Sequence, residues 1–209
     1  MNVKLVSVTP DAEKLIVYCA RVSSPQNQGN EETGPRLVAY MLKQGHLSPF
    51  ELGHMTVEIE TSRAISSQIL RHKSFAFQEF SQRYAEPFGF EKIRARRQAE
   101  KNRQSSVDDL PEADRQWFEH MQTVNDRESL AAYQMALSRG IAKECARFLL
   151  PMSTRTRLYM CGNLRSWITY LRLRIQSDVQ EEHRLIAEEC KRLFVEQFPV
   201  VSAALEWAP

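Results

Sequence analysis

The stretch RHKSFAFQEFSQRY, residues 71–84, concentrates charged and polar side chains where the flanking pattern would otherwise build core. Within it, Glu79, Ser81 and Arg83 lie two residues apart, so an extended backbone would place all three on one face. Arginine and serine donate hydrogen bonds to phosphate oxygens, and a carboxylate accepts them from a sugar hydroxyl or a ring N–H. The row therefore suits a nucleotide, although an amphipathic edge strand with solvated polar side chains has the same pattern.

The segment before this stretch changes its apolar period from that of a strand to that of a helix. Residues 54–60 alternate strictly between polar and apolar side chains, which predicts a strand with one buried face. From Ser62 the apolar residues recur at helical spacing. This predicted helix carries Gln68, Arg71 and His72 near its C-terminal end.

The rest of the chain alternates predicted elements with turn-rich loops. Further strands are expected at residues 3–8 and 158–161. Residues 86–109 lack a clear period and hold several basic side chains, which indicates a solvated loop. Helices are expected at residues 11–22, with Asp11 as the cap, and at residues 37–43, 112–138, 141–149, 164–174 and 179–197.

Length and charge narrow the class of protein. With 209 residues and 43% hydrophobic side chains, the chain is long enough for one well-buried core, so a single domain over 1–209 is expected. The net charge of +2 is too small to make nucleic acid or an anionic membrane the expected partner. Because no run approaches the roughly 20 apolar residues of a membrane span and residues 1–9 lack a signal-peptide core, a cytoplasmic protein is expected.

The four cysteines indicate neither a metal site nor a disulfide framework. Cys19, Cys145, Cys161 and Cys190 lie far apart, without a CxxC or Cys/His spacing. Each has apolar or helical surroundings, so we expect buried free thiols.

Four segments in order resemble the sequence blocks of the flavin-dependent thymidylate synthases. Residues 71–83 resemble the signature RHRxxSxxxxSxR, and HLSPFE at 46–51 resembles the upstream HxSPFEH-like turn. ECARFLLP at 144–151 resembles the E-x-A-R-x-x-L-P segment, and residues 163–174 resemble the helix that opens with N-x-R-S/D and ends in arginine. Together the blocks cover nearly the whole catalytic portion of that family.

The chain departs from the family pattern at five positions. Lys73 replaces the last arginine of RHR, which keeps the charge but loses the planar fork needed for bidentate contacts. Ala76 replaces the first signature serine, and Gln78 stands where asparagine is frequent. Thr169 stands where many members have asparagine or histidine facing the flavin, and Asp178 where some have a histidine near it.

The resemblance implies an α+β fold with a central, mostly antiparallel sheet flanked by helices. It also implies a homotetramer in which FAD lies across subunit contacts and each active site is shared between chains. The chain has no GxGxxG sequence, which agrees with a flavin site unlike the Rossmann type. By position, the implied FAD contacts are Ser48, Arg71, His72, Lys73, Glu79, Asn163, Arg165 and Thr169, with His46 as a possible flavin or folate contact.

The implied reaction methylates dUMP to dTMP, with 5,10-methylenetetrahydrofolate as carbon donor, NADPH as reductant and no cysteine nucleophile. Arg174 would be the catalytic residue, because a permanently charged guanidinium at the uracil edge favours negative charge on N3 and O4. Ser81, Arg83 and Arg147 would hold the phosphate. The implied dUMP contacts are Gln68, Arg71, Glu79, Ser81, Arg83, Arg147 and Arg174.

Two other classes remain to be weighed against this enzyme. One is a nucleic-acid-binding module that uses the arginines of residues 94–103, but the interleaved aromatic residues typical of single-strand binders are absent there. The other is an inactive family member that keeps flavin as a scaffold, for which Lys73 and Ala76 are the only support.

Overall fold

A computed structural model describes residues 1–207 of the chain. Its main sheet has four strands in the order β1 (Asn2–Val8), β2 (His54–Ser62), β6 (Arg155–Asn163) and β3 (Ala76–Glu79), and every neighbouring pair in it is antiparallel. Helices flank this sheet, so the predicted α+β class with an antiparallel sheet is confirmed. Two further short strands are β4 (Arg97–Gln98) and β5 (Ser106–Val107).

The helices agree with the predicted spacing at most positions. The long helix and the helix ending at Arg174 have the predicted bounds, while the expected helix at 141–149 is one short α-helical turn followed by a 3₁₀ turn at Arg147–Leu149. The α-helices are α1 (Ala12–Ala20), α2 (Gly34–Gln44), α3 (Arg63–Ile69), α4 (Glu112–Ser138), α5 (Lys143–Ala146), α6 (Leu164–Arg174), α7 (Glu181–Gln197) and α8 (Pro199–Ala204).

Strands β2 and β6 form the centre of the sheet. Their pairing runs from His54 opposite Asn163 to Ser62 opposite Arg155, so β6 is much longer than the predicted strand at 158–161. The prediction was too short because arginines interrupt the apolar pattern of β6. On the outer face of the sheet, Arg157 pairs across the strands with Glu60, with 2.6 Å between Nη2 and Oε1.

The inner face of the sheet packs against α6 and α7. Alternate residues of β2 and β6, such as Val57 and Leu158, are fully buried, as a half-buried strand requires. Trp167 on α6 donates from Nε1 to the backbone oxygen of Met55 at 3.0 Å, which fastens that helix to β2.

Two predictions about helix ends were wrong. Asp11 precedes α1 in a left-handed conformation with φ of 48°, and its side chain makes no capping hydrogen bond. Helix α3 ends at Ile69, so Arg71 and His72 lie beyond the helix and only Gln68 lies on it. By contrast, Asn163 caps α6 by accepting from the backbone nitrogen of Ser166 at 2.8 Å.

The expected extended row of Glu79, Ser81 and Arg83 is also wrong. Strand β3 ends at Glu79, and the chain then turns. The backbone oxygen of Ser81 accepts from the nitrogen of Tyr84 at 3.1 Å, and its Oγ accepts from the nitrogen of Arg83 at 3.3 Å. The serine thus closes a turn through its own acceptors, as short hydroxyl side chains often do.

The expected solvated loop at 86–109 is largely ordered against the rest of the chain. Phe90 forms a bridge with Thr154, and β4 and β5 form a small hairpin. Glu91 is buried and accepts from the backbone nitrogen of Ser62 at 2.8 Å. Charged residues of this segment are ordered by partners that are distant in sequence. A local sequence pattern does not reveal such partners, so it predicted a solvated loop.

The cysteines are all free, as predicted, but they are not all buried. Cys190 is fully buried in the core, whereas Cys19 and Cys161 are half-buried and Cys145 is exposed. The prediction of burial is therefore wrong for Cys145. In the part of the chain that the structure describes, no helix has the length and apolar character needed to cross a membrane.

Candidate active site

Arg174 and His72 meet at the C-terminal end of α6. Arg174 is the last residue of that helix, and its Nε donates to Nε2 of His72 at 2.9 Å. A cation in this position is favoured by the partial negative charge of the helix terminus. The structure thus joins the predicted catalytic arginine to the histidine of the RHK segment, although the two are far apart in sequence.

His72 is neutral at physiological pH. Burial, followed by the charges of Arg174 and Arg71, lowers the pKa of His72 to about 4. Its Nε2 lone pair is therefore free to accept from Arg174, and its ring lies edge-to-face against Tyr170 at a centroid distance of 4.8 Å. His72 therefore accepts a hydrogen bond from Arg174 and carries no positive charge that would repel the guanidinium.

Gln68 is held at both ends of its side-chain amide. Its Nε2 donates to Oε1 of Gln180 at 2.6 Å, and its Oε1 lies 3.3 Å from Nδ1 of His183. His183 Nε2 lies 3.1 Å from the hydroxyl of Tyr170, and Gln180 Nε2 donates to Glu182 at 2.9 Å. We call this set the polar chain: Tyr170, His183, Gln68, Gln180, Glu182 and Arg96.

The charge state of His183 sets the direction of these hydrogen bonds. His183 is fully buried, and burial, with smaller contributions from Arg174, His72 and Arg71, lowers its pKa to about 3. A neutral ring has one donor and one acceptor. Because Tyr170 can donate to Nε2, Nδ1–H donates to Gln68 Oε1.

Sequence reasoning missed four members of the polar chain. Tyr170, Gln180, Glu182 and His183 were not singled out, and Arg96 was placed in a solvated loop. One signal was present: His183 falls on the same helical face as Ile186, Ala187 and Cys190 on α7, all of which are buried. A histidine on an apolar helix face needs a buried partner, but its partners on α3 and α6 are not visible in the sequence.

Glu79 points toward α3. Its Oε1 accepts from the hydroxyl of Ser66 and, at 3.0 Å, from that of Thr156. Arg63 Nη1 lies 2.8 Å from the same oxygen. The carboxylate is thus occupied by internal partners, and the structure does not align it with Ser81 and Arg83.

A second group of predicted residues lies on the surface around α5. Arg83 Nε is 3.4 Å from Glu144 Oε2, and Arg147 Nε donates to the backbone oxygen of Glu144 at 3.2 Å. The guanidinium of Arg147 also lies over the ring of Phe148 at 5.6 Å. We call Arg83, Glu144, Arg147 and Phe148 the open arginine cluster.

A cavity of about 350 Å³ lies beside the open arginine cluster. Arg63, Gln82 and Arg147 contribute polar atoms to its wall, and Phe148 and Met152 contribute apolar surface. Gln82 is buried, and its Nε2 has no hydrogen-bond partner within residues 1–207. Cationic and donor groups of this kind suit an anionic ligand.

Several predicted FAD contacts gather at the opposite end of α6. Arg165 Nη1 pairs with Glu51 Oε1 at 2.5 Å, and Glu51 belongs to the 3₁₀ turn that begins at Ser48. Thr169 donates to the backbone oxygen of Arg165 at 3.0 Å, one turn along the helix. At about 1.5 Å per residue, Arg165 lies roughly 14 Å from Arg174 along α6.

Three further predicted FAD contacts, Arg71, Lys73 and His46, are exposed. Arg71 and Lys73 follow α3, and within residues 1–207 neither forms an ion pair. His46 is exposed and lies edge-on to Tyr40 at a centroid distance of 6.1 Å. These side chains are accessible to a ligand, but the structure does not bring them into contact with Arg174 or with the open arginine cluster.

Comparison with known protein families identifies the class to which this fold and its grouped arginines belong. A model described as thymidylate synthase complementing protein matches residues 4–200. The chain therefore belongs to that family, as the resemblance of its sequence blocks predicted.

The relatives within this family carry a more particular name. The chain is 47% identical over 215 residues to a probable flavin-dependent thymidylate synthase of Paramecium bursaria Chlorella virus 1, covering 99% of this chain and 100% of the relative. It is also 47% identical over 217 residues to a flavin-dependent thymidylate synthase of Synechocystis, with the same coverage of both chains. The UMP/dUMP methylase PolB from Streptomyces cacaoi, solved with 5-Br dUMP, superposes with a TM-score of 0.87 at 27% identity, covering 99% of this chain and 95% of that one.

Proposed function

We propose that this chain is a flavin-dependent thymidylate synthase. It methylates dUMP to dTMP on a single catalytic domain, with FAD as cofactor, 5,10-methylenetetrahydrofolate as carbon donor and NADPH as reductant. The relatives' names support the reaction and the flavin. The observation that carries the proposal is the guanidinium of Arg174, held by a neutral histidine of the RHK segment. The ring of that histidine lies 6.1 Å from the ring of His183, which holds the amide of Gln68.

Arg174 supplies electrostatic catalysis in this proposal. Its contact to His72 uses Nε alone, so both Nη groups can donate to a ligand. Two parallel N–H groups fit O4 and N3 of a uracil that loses or shares its N3 proton, because N3–H of the neutral base is itself a donor. Arg174 remains protonated while N3 and O4 gain negative charge, and this makes C5 of the pyrimidine more nucleophilic.

The open arginine cluster and Ser81 bind the phosphate of dUMP in this proposal. Arg83 is paired with the carboxylate of Glu144, and Arg147 donates to the backbone oxygen of the same residue, through contacts that are exposed to solvent. Exposed ion pairs contribute about 0–1 kcal/mol. A dianionic phosphate can therefore replace the Glu144 carboxylate as the partner of Arg83, and can become the charged partner of Arg147, at little cost.

We propose that the active site is completed by another copy of the chain in a homotetramer. Large apolar side chains in and around the open arginine cluster have high exposure: Tyr84 is 80% exposed, Phe148 81% and Met152 60%. Contiguous exposed apolar surface of this kind is typical of protein interfaces. Sedimentation equilibrium would test this, since a monomer at micromolar concentration would contradict the shared site.

The exposed cations have the chemistry that FAD requires. Arg71, Lys73 and Arg165 would hold the pyrophosphate, and Asn163, Ser48 and Thr169 would offer neutral hydrogen-bonding groups. His46, exposed beyond the end of α2, would contact the flavin or the folate. When bound, the flavin supplies the hydride that completes the methyl group.

The function is tested with purified protein in two steps. Flavin absorbance that stays with the protein through gel filtration establishes the cofactor. Release of tritium from 5-tritiated dUMP, dependent on both NADPH and methylenetetrahydrofolate, establishes the reaction. A protein that retains flavin and binds dUMP but releases no tritium would be the inactive scaffold, and the proposed function would be wrong.

A further inference from the structure

The polar chain connects a predicted dUMP contact to the hairpin segment that sequence reasoning treated as a solvated loop. We propose that Arg96 is a positioning residue for Gln68, acting through Glu182 and Gln180. This inference rests on the proposed function, because it assumes that Gln68 contacts dUMP. It gives the segment between β3 and α4 a role in the active site.

The first step is the ion pair between Arg96 and Glu182. Arg96 Nη2 donates to both carboxylate oxygens of Glu182, at 2.7 and 2.9 Å, while its Nη1 donates to Glu181 at 2.5 Å. The Arg96 side chain is 10% exposed and that of Glu182 is 5% exposed. A charge removed from water in this way needs its partner and a strict geometry, so Arg96 sets where the Glu182 carboxylate lies.

The second step is the direction that Glu182 imposes on two amides. A carboxylate only accepts hydrogen bonds, so Gln180 must turn its Nε2 toward Glu182 and its Oε1 toward Gln68. Gln68 must then present Nε2 to Gln180. His183 donates to the opposite end of the Gln68 amide, so both neighbours favour the same orientation.

The third step is what this orientation leaves for a nucleotide. The Nε2 of an amide has two hydrogens and its oxygen two lone pairs. Gln68 uses one N–H and one lone pair inside the polar chain. Its second N–H and its second lone pair are therefore held in fixed positions relative to each other. Without the carboxylate, Gln180 could rotate by half a turn about its last side-chain bond. Gln68 could then follow if His183 changed tautomer, and it would present donor and acceptor in reverse.

Arg97, the next residue in the chain and the first of β4, offers a matched control. It pairs with Asp109, with 2.6 Å between Nη2 and Oδ2, and the two side chains are 42% and 46% exposed. Like Arg96, it is an arginine of the hairpin in a close carboxylate pair. Unlike Arg96, its pair is open to water and has no contact with Gln180 or Gln68 within residues 1–207.

A double-mutant cycle tests the inference in the flavin-loaded protein. The dissociation constant of dUMP is measured by titration calorimetry for wild type, Arg96→Ala, Gln68→Ala, the double variant and Arg97→Ala. We expect Arg96→Ala to weaken dUMP binding about tenfold, the range of one hydrogen bond in a charged network, and Arg97→Ala to change it by less than about twofold. In the Gln68→Ala background, Arg96→Ala should cause no further loss, because the group it positions is gone.

The outcomes separate the positioning role from general stability and from the proposed function. Additive losses in the double variant, or unchanged binding in Arg96→Ala, would overturn the inference. If Arg96→Ala melts below the assay temperature, Arg96→Lys takes its place in the same cycle, since it keeps the charge and loses the fork. Failure of the wild type to bind dUMP would contradict the proposed function instead.

Discussion

The polar chain and the open arginine cluster are two parts of one proposed site with opposite physical character. In the polar chain, His183 is fully buried and Glu182 is 4% exposed, and each side-chain amide has partners at both ends. In the open arginine cluster, Arg83 is 56% exposed and Phe148 is 81% exposed. One half of the site is complete inside a single chain, and the other half is open to a partner.

The difference has a physical consequence for how each half binds. Buried hydrogen bonds are directional and costly to break, so the polar chain holds Gln68 before the substrate arrives. Arg174 is held beside it by His72, whose ring packs on Tyr170. An exposed ion pair such as that of Arg83 with Glu144 contributes little free energy, so the arginines of the open cluster can change partner. We infer that the base is read by the rigid half, while the phosphate is captured by the adaptable half.

The largest expected effect is the loss of Arg174. Replacing it with alanine should lower kcat for tritium release on the order of 10²–10³-fold, the range found when one donor to a developing negative charge is removed. Arg172, exposed on the same helix, is the matched control, and Arg172→Ala should change kcat by less than about twofold. Equal losses of kcat in both variants would mean that the substitutions act by disturbing helix α6, and that the Arg174 guanidinium has no specific role in catalysis.

The second effect is a dependence of stability on pH that comes from His183. Its folded pKa of about 3 lies below the ordinary value of 6.5, so the unfolded chain binds a proton that the folded chain does not. The stabilisation is fully present above pH 6.5 and falls as the pH drops toward about 3. By pH 4 the loss from this one group is about 3 kcal/mol.

Chemical denaturation at pH 7 and pH 4 measures this effect. The fall in unfolding free energy should be smaller in His183→Gln than in the wild type, because glutamine cannot take up the proton. His120→Gln, on the exposed face of α4, is the control and should keep the wild-type pH dependence. A His183→Gln variant with the same slope as wild type would show that His183 does not carry the acid sensitivity.

The third effect tests whether the two halves of one site belong to different subunits. Arg147→Ala should raise KM for dUMP about 10–100-fold, the cost of one charge-assisted contact to phosphate, with less change in kcat. If the open arginine cluster of one chain serves the Arg174 of another, mixing Arg147→Ala with Arg174→Ala subunits restores some fully native sites. Activity above the sum of the two variants after subunit exchange is the expected result, and its absence would place both arginines in one chain's own site.

Local sequence pattern predicted the elements better than it predicted the contacts of the site. Alternation in residues 54–60 and the apolar spacing of 164–174 gave β2 and α6 correctly, because each buries one regular face. Most of β6 was not predicted, because its arginines interrupt the apolar pattern and their cross-strand partners on β2 lie about 100 residues away in sequence. The arginines of the site were predicted from the family blocks. The roles of Arg96 and His183 were not predicted, because their partners are visible only in the folded structure.

The smallest expected effect is that of the four cysteines. With Cys19, Cys145 and Cys161 replaced by serine and Cys190 by alanine, kcat should stay within about threefold of wild type, because the proposed reaction uses no thiolate. Burial raises the pKa of the Cys190 thiol far above its ordinary value, so it stays protonated and unreactive. Cys190→Ala leaves a small cavity and should cost about 1–2 kcal/mol of unfolding free energy, seen as a lower Tm.

Cys145 makes this last prediction a test of the comparison between the two halves. It is exposed and lies between Glu144 and Arg147 in the sequence of the open arginine cluster. If Cys145→Ser alone abolished turnover while flavin, dUMP binding and Tm were retained, the open half would be supplying a nucleophile and not only a phosphate site. Retained turnover in that variant would leave electrostatic catalysis by Arg174 as the sufficient account.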